Sequence, residues 1–364
     1  MRLLCRQIPI PLFLLAPLLI LGFDHDFRGQ LSFQGTAIYH SENWSGNAGT
    51  QYIPQLTLNQ SISDARFLDA EISLHGFLQT GQEITNDNLG LYRLNARYAT
   101  PQSELRIGLQ KINFGPAQLL RSLMWFDRLN PTDPLKIAEG VWGLRYRHIF
   151  LNNANIWLWG LYGNDEPKGW EALGSAGDKP ELGARFQAPV PMGEMALTTH
   201  FRTVENPELD QQFAEKRLAL DGRWDIVIGT WFEAAILHQE IASPYHYTEM
   251  VTLGADYTFG LGNGVYVLGE HMLNRFGNEF GAAEQDAQLS AVMASYPLGL
   301  FDTLSGMLFY SWEIDDWIQY FSWQRSYDRF VLNLSLFHFP DIPITLGTTV
   351  EAGYGLQFML IYNH

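Results

Sequence analysis

The sequence is almost devoid of cysteine. Its single thiol, Cys5, lies beside an N-terminal apolar run. That scarcity excludes disulfide staples, thiolate metal sites and cysteine nucleophiles from the rest of the chain. Positive charge is also scarce: 23 Lys and Arg stand against 39 Asp and Glu, a formal net charge of −16. An acidic balance argues against a nucleic-acid partner, whose phosphates need a basic surface. Beyond the N-terminus no apolar run approaches the roughly 20 residues of a spanning helix. Catalytic signatures are missing as well. There is no G-x-S-x-G, no H-E-x-x-H and no G-x-x-x-x-G-K-[ST], so no hydrolase elbow, metalloprotease helix or phosphate loop is marked. The ten histidines are scattered, and neither a metal site nor a cofactor is expected.

The N-terminus differs from the rest. Arg2 and Arg6 precede an apolar run from Ile8 to Phe23. A basic start and a short apolar core read as a secretory signal over residues 1–22. Pro9, Pro11 and Pro17 oppose a lasting helix there. Gly22 is the best small residue for cleavage, which leaves 23–364 as the exported protein.

What the chain has in quantity is alternation. Hydrophobic residues make up 46% of it and aromatics 14%, with 33 glycines. Strict period-two patterns recur from residue 28 onward. Leu31, Phe33, Gly35, Ala37 and Tyr39 share one face, and Leu68, Ala70, Ile72 and Leu74 oppose Asp69, Glu71 and Ser73. In "ELRIGLQ" Leu105, Ile107 and Leu109 oppose Glu104, Arg106 and Gln110. The stretches 154–162, 230–238 and 265–273 are apolar on both faces, so their phase is open.

Connections decide the architecture. Long ones at 41–50, 80–90, 112–139, 164–180, 203–216, 240–248, 274–286, 313–316 and 339–349 alternate with short ones. The short ones fall near Ser63-Asp64, Pro101, Asn152-Asn153, 189–193, Gly229, 260–264, 297–301 and Tyr327. A soluble sandwich gives no reason for this alternation. A bacterial outer-membrane barrel does, with short periplasmic turns and long external loops. The expected fold class is therefore all-β: a transmembrane antiparallel up-and-down β-barrel of about 18 strands, or 16 if two weak strands merge. Outer-membrane lipid is then the partner of the apolar face. Tyr39 and Tyr52 are expected at one membrane interface. Tyr98, Tyr146, Trp224, Phe259, Trp312 and Tyr362 also fall at strand ends, where aromatic girdles belong. The alternating end, Tyr354 to Tyr362, resembles the strand that such barrels present to their insertion machinery.

Two groups of residues are candidates for function. On the water-facing phase, Asp69, Glu71 and Glu104 accompany Arg97, Arg106, Arg145, Arg147, Arg185 and Arg223 toward the periplasmic half, with Arg93 about 13 Å higher on its strand. These charges read either as a ladder of cross-strand ion pairs or as an arginine-rich wall that attracts anions. The second group is the segment 112–139. Leu119, Leu120, Leu123, Met124, Trp125, Phe126 and Leu129 follow roughly helical spacing. They are too apolar for bulk water, so inward folding against Trp157 and Trp159 is expected. Asp127, Asp133 and Glu139 would then face the arginines; an external cap or subunit contact is the alternative.

This segment also carries a resemblance. Gly108-x-Gln110, Phe114-Gly115 and Asp127-x-x-Asn130-Pro131-x-Asp133-Pro134 resemble a signature of bacterial porin-type outer-membrane barrels. The resemblance covers about 30 residues directly. It implies that Phe114, Gly115, Asp127, Asn130, Pro131 and Asp133 belong to a constriction loop, to which the apolar run adds Trp125. It also implies passive passage of small hydrophilic solutes without a cofactor, and assembly into a homo-oligomer. The expected function is a channel for such solutes, anions among them. A plugged barrel serving as an envelope scaffold and an outer-membrane hydrolase are the competing readings.

Overall fold

The computed structural model describes residues 23–80, 88–240, 245–341 and 352–364. The expected signal segment 1–22 lies outside the described residues, as do parts of the connections expected at 80–90, 240–248 and 339–349. The strands are β1 (Asp24–His40), β2 (Asn43–Ser63), β3 (Arg66–Gln79), β4 (Leu89–Ala99), β5 (Ser103–Gln110) and β6 (Val141–Ile149). Next come β7 (Asn155–Leu161), β8 (Glu181–Val190), β9 (Gly193–Asn206), β10 (Gln211–Asp225), β11 (Gly229–Gln239) and β12 (Tyr247–Phe259). The series ends with β13 (Val265–Gly277), β14 (Gln285–Pro297), β15 (Asp302–Ser311), β16 (Asp316–Ser326), β17 (Phe330–Phe339) and β18 (Gly353–Asn363).

Each strand pairs antiparallel with its sequence neighbours, and β1 pairs with β18 from Gln30–Asn363 to Tyr39–Tyr354. The 18-stranded sheet is thus closed and has no free edge. Alternation explains both surfaces. Leu105, Ile107, Leu144, Leu158, Leu182 and Leu197 are exposed on the outer face, which suits lipid and not water. The inward phase is polar on most strands. Leu109 departs from this pattern. It was expected to face lipid, but it is only 8% exposed, between Leu94 and Trp142 of the neighbouring strands.

The first connection also differs from expectation. Residues 41–50 are not a loop: β1 and β2 stay paired up to His40–Asn43, and Ser41 and Glu42 make the turn with φ of 49° and 67°. Both central residues in the left-handed region are the mark of the tight hairpin whose twist matches the strands. Polar residues such as Ser45 and Asn47 obscured this strand in the sequence. As a result Tyr39 pairs with Trp44, whereas Tyr52 pairs with Leu31, eight positions back along β1. The two tyrosines therefore occupy different heights of the wall, not one interface. Tyr98 and Tyr146 both flank Leu105 beside the short turns.

Candidate functional site

The connection between β5 and β6, residues 111–140, enters the barrel and crosses it. Its apolar side chains do not form a helix; the segment is a series of bends. Ile112, Phe114, Leu123, Trp125 and Phe126 pack on inward residues of β7 and β10–β12, among them Trp159, Leu161, Ala219 and Met250, with Trp157 beside them. Ala117, Leu119 and Leu120 pack instead on β11 and β13–β17, against Trp231, Leu268, Phe309, Ile318 and Phe339. A helix presents one apolar stripe; this chain must serve two walls, so it unwinds. Phe114 meets Trp125 edge-on with centroids 5.6 Å apart, as Phe126 meets Trp159 at 5.7 Å, while Phe114 stacks on Trp159 at 5.8 Å, arrangements that ring quadrupoles favour when the stack is offset.

Buried backbone amides of a loop without ladder partners need acceptors. Two wall carboxylates supply them. Glu233 on β11 accepts from Ala117 N at 2.9 Å and Leu123 N at 2.8 Å. Glu270 on β13 accepts from Gln118 N at 2.7 Å, Leu119 N at 2.9 Å and Leu120 N at 2.6 Å, and from the Trp231 indole at 3.0 Å. Thr252 on β12 donates to Leu120 O at 2.7 Å. Gly115 fits against Glu233 only because it lacks a Cβ, and its φ of 92° also requires glycine. Glu233 and Glu270 were not legible as functional. Their one signal was a lone carboxylate in the middle of a stretch apolar on both faces.

The loop aspartates do not reach the arginines as expected. Asp127 is 1% exposed and binds Arg121 of the same loop at 3.2 Å and Asn113 Nδ2 at 2.8 Å, with Lys111 Nζ at 4.0 Å. Asp133 lies farther round the wall, beside β1 and β16–β18. Its carboxylate accepts from Leu135 N and Ile137 N, and burial raises its pKa above the usual carboxylate value. Asn130 caps the turn over Pro131 by accepting from Thr132 N and Oγ1. Glu139 is exposed. Because the folded pKa of Asp133 lies above its unfolded value, the protonated form favours the docked loop. Its contribution is full at low pH and is lost as pH rises through the folded pKa. Asp133→Asn should therefore flatten the pH dependence of thermal stability across that window, followed by the melting of tryptophan fluorescence; an unchanged pH profile would contradict it.

The connection between β7 and β8, residues 162–180, also folds inward, which the sequence did not suggest. Trp170 donates through its indole to Arg121 O at 2.6 Å and through its backbone N to Met124 O at 3.1 Å. Lys168 and Glu171 join a buried ionic network on β8–β10. Lys168 and His200 bind Glu181, Arg202 and Arg217 bind both Glu171 and Glu215, and Arg185 binds Asp221. Arg185, expected to line open water, is only 4% exposed in this network. Arg93 is likewise covered. It is 7% exposed, donates to Ala138 O at 2.6 Å and lies over the Tyr92 ring. Arg223 lies apart, near Asp225 and Asp256.

The remaining charges form one wall. Register places Arg97, Arg106 and Arg145 side by side on β4, β5 and β6. Like charges directly opposite destabilise a sheet. Glu104 offsets this by contacting all three, at 3.2 Å from Arg97, 3.7 Å from Arg106 and 2.6 Å from Arg145. Asp69 takes Arg97 from the far side at 2.8 Å, and Glu71 accepts from Asn95 at 3.2 Å. Arg147 has no carboxylate within 4.0 Å among the described residues; it and Arg145 lie on the Trp157 ring at 4.9 and 5.2 Å. The Arg97 side chain is 34% exposed and that of Arg106 22%, so this wall stays wet while the network on β8–β10 is sealed. Among the described residues no cluster of three His, Cys, Asp or Glu side chains is placed to hold a metal ion.

No family model matches the sequence, and no curated protein matches it. Solved structures do match. OccAB4 of Acinetobacter baumannii superposes with a TM-score of 0.59 at 9% identity, covering 94% of this chain and 98% of that one. OmpF of Salmonella typhi, in a complex with daunomycin, gives 0.57 at 10% identity over 94% and 98%. An anion-selective porin from Comamonas acidovorans gives 0.54 at 11% identity over 94% and 100%. The chain therefore has the porin-type outer-membrane β-barrel fold. At these identities the likeness is one of fold.

Proposed function

We propose that this protein is a passive outer-membrane channel for small hydrophilic solutes, with a preference for anions along the β4–β6 wall. The observation that carries this reading is the arginine row Arg97–Arg106–Arg145, with Arg147 beside it. Three guanidiniums in one cross-strand row cost stability, and a barrel built only for closure has no use for them. Asp69, Glu71 and Glu104 hold the row in place and match its three charges, and Arg147 leaves the wall one positive charge in excess. The named selectivity of the Comamonas porin supports such chemistry on this fold. The loop 111–140 narrows the path and presses solutes toward the wet wall.

A planar bilayer tests the proposal. Stepwise conductance and an anion-selective reversal potential in a salt gradient are expected. Arg97→Gln with Arg106→Gln should lower the anion-to-cation permeability ratio by up to about five-fold per charge, since a unit charge at 4 Å in water contributes about 1 kcal/mol. Unchanged selectivity would reduce the row to a structural ladder. Folded protein that stays electrically silent would favour the plugged scaffold, which the loop's bonds to opposite walls also suit.

A further inference from the structure

The loop divides the lumen into two chemically different sides. The arginine row belongs to β4–β6. Farther round the same wall, residues 130–134 leave a pocket of about 360 Å³ against β1–β3 and β16–β18, within the size range of small-molecule sites. Its wall is inward-phase and without Lys or Arg. Gln34, Asn47, Gln79, Asn130 and Gln357 bring side-chain amides to it, and Thr36 and Thr132 bring hydroxyls. Few of these groups are spent. Gln357 donates to Thr36 at 3.3 Å, and Asn130 uses its carbonyl oxygen on Thr132, which leaves the Gln357 oxygen and the Asn130 amide hydrogens without a side-chain partner among the described residues. Gln34, Asn47 and Gln79 have no side-chain acceptor or donor partner among the described residues beyond this pocket. Tyr320 and Phe337 add ring surface; the Tyr320 hydroxyl is already bonded to Ser335 at 2.7 Å.

We infer that this pocket binds a neutral, polyhydroxylated solute of mono- or disaccharide size. An amide both donates and accepts, as a hydroxyl does, so a set of amides matches a set of hydroxyls in either direction. An anion would find no cation here. A simple cation would find only Asp133, whose carboxylate is engaged by two backbone amides. The aromatic faces suit the C–H surface of a sugar ring, because a ring face is negative and a C–H edge weakly positive. The site would let one barrel handle anions and neutral sugars on separate sides of one strap.

The experiment is equilibrium binding to the full, detergent-folded protein, read by calorimetry with glucose, maltose and gluconate as probes. It needs no conduction, so an electrically silent barrel that binds maltose sinks only the channel reading. Saturable binding of glucose or maltose is expected. Gln34→Leu and Asn130→Ala should each weaken it by about five- to ten-fold, the worth of one hydrogen bond of about 1 kcal/mol or slightly more, while Lys216→Gln, at an exposed position, leaves it unchanged. Gln34→Leu carries the test if Asn130→Ala disturbs the turn. No saturation by either neutral sugar, gluconate binding that Gln34→Leu weakens more than it weakens glucose binding, or sugar binding indifferent to Gln34→Leu would each overturn the inference.

Discussion

Glu270→Ala should free the first half of the lumen-crossing loop and raise unitary conductance several-fold. Glu270 is 4% exposed and accepts from four donors: the backbone amides of Gln118, Leu119 and Leu120, and the Trp231 indole. Removing a buried acceptor costs about 1–3 kcal/mol for each donor left unpaired. Four such losses together, about 4–12 kcal/mol if additive, outweigh at their midpoints what Leu119 and Leu120 regain by staying on the β13–β17 wall, at about 1.5–3 kcal/mol per buried side chain. The amides then do better in water, and the chain leaves the wall. The barrel itself should persist, because its ladder is untouched. Two measurements check this: single-channel current, and proteolysis of folded protein between residues 111 and 140. Glu233→Ala should add to the effect by releasing Ala117 and Leu123. A variant with native current and an intact loop would show that packing alone holds the strap.

The second large effect belongs to the sealed network. Asp221→Ala should destabilise the barrel by about 3–5 kcal/mol, the usual consequence of stranding one partner of a buried pair. Arg185 and Asp221 are 4% and 3% exposed, and two guanidinium nitrogens reach the carboxylate at 2.5 and 2.8 Å. Thr198 takes a further bond from Arg185, and the face of Phe114 lies 5.2 Å from the guanidinium. At 4% exposure, Arg185 has little access to water that could solvate a stranded cation. The urea midpoint of the folded band on unheated gels reads the loss. Replacing both partners, as Asp221→Ala with Arg185→Leu, should recover much of it, since no buried charge then remains. If the single substitution were silent, the pair would have to be hydrated.

The barrel was legible because its cause is local. Each of β3, β5 and β18 carries its own period-two pattern, and closure follows from stringing such strands together. The phase of β11 and β13 was not legible, because the loop makes both of their faces apolar: Ala235 and Met272 pack inward as Leu253 and Val292 of neighbouring strands face outward. The apolar run 119–126 looked helical in spacing, yet its spacing answers to two adjoining stretches of wall that the sequence does not reveal. Arg93 and Arg185 were in the expected phase, but phase says only that a side chain points inward. Whether it meets water depends on what else has been folded into the lumen, and that is decided by long-range contacts such as Ala138 with Arg93.

A hollow cylinder of 18 strands flattens easily, since squeezing it bends the sheet without breaking any ladder bond. This one carries internal spokes. One segment is tied to Arg93 on β4, to Glu233, Thr252 and Glu270 on β11–β13, and lies against β16–β18. Any ovalisation must stretch at least one of these ties. The cross-section should therefore keep its shape under lateral pressure from the bilayer, and the size limit for a passing solute should be a sharp threshold instead of an elastic one.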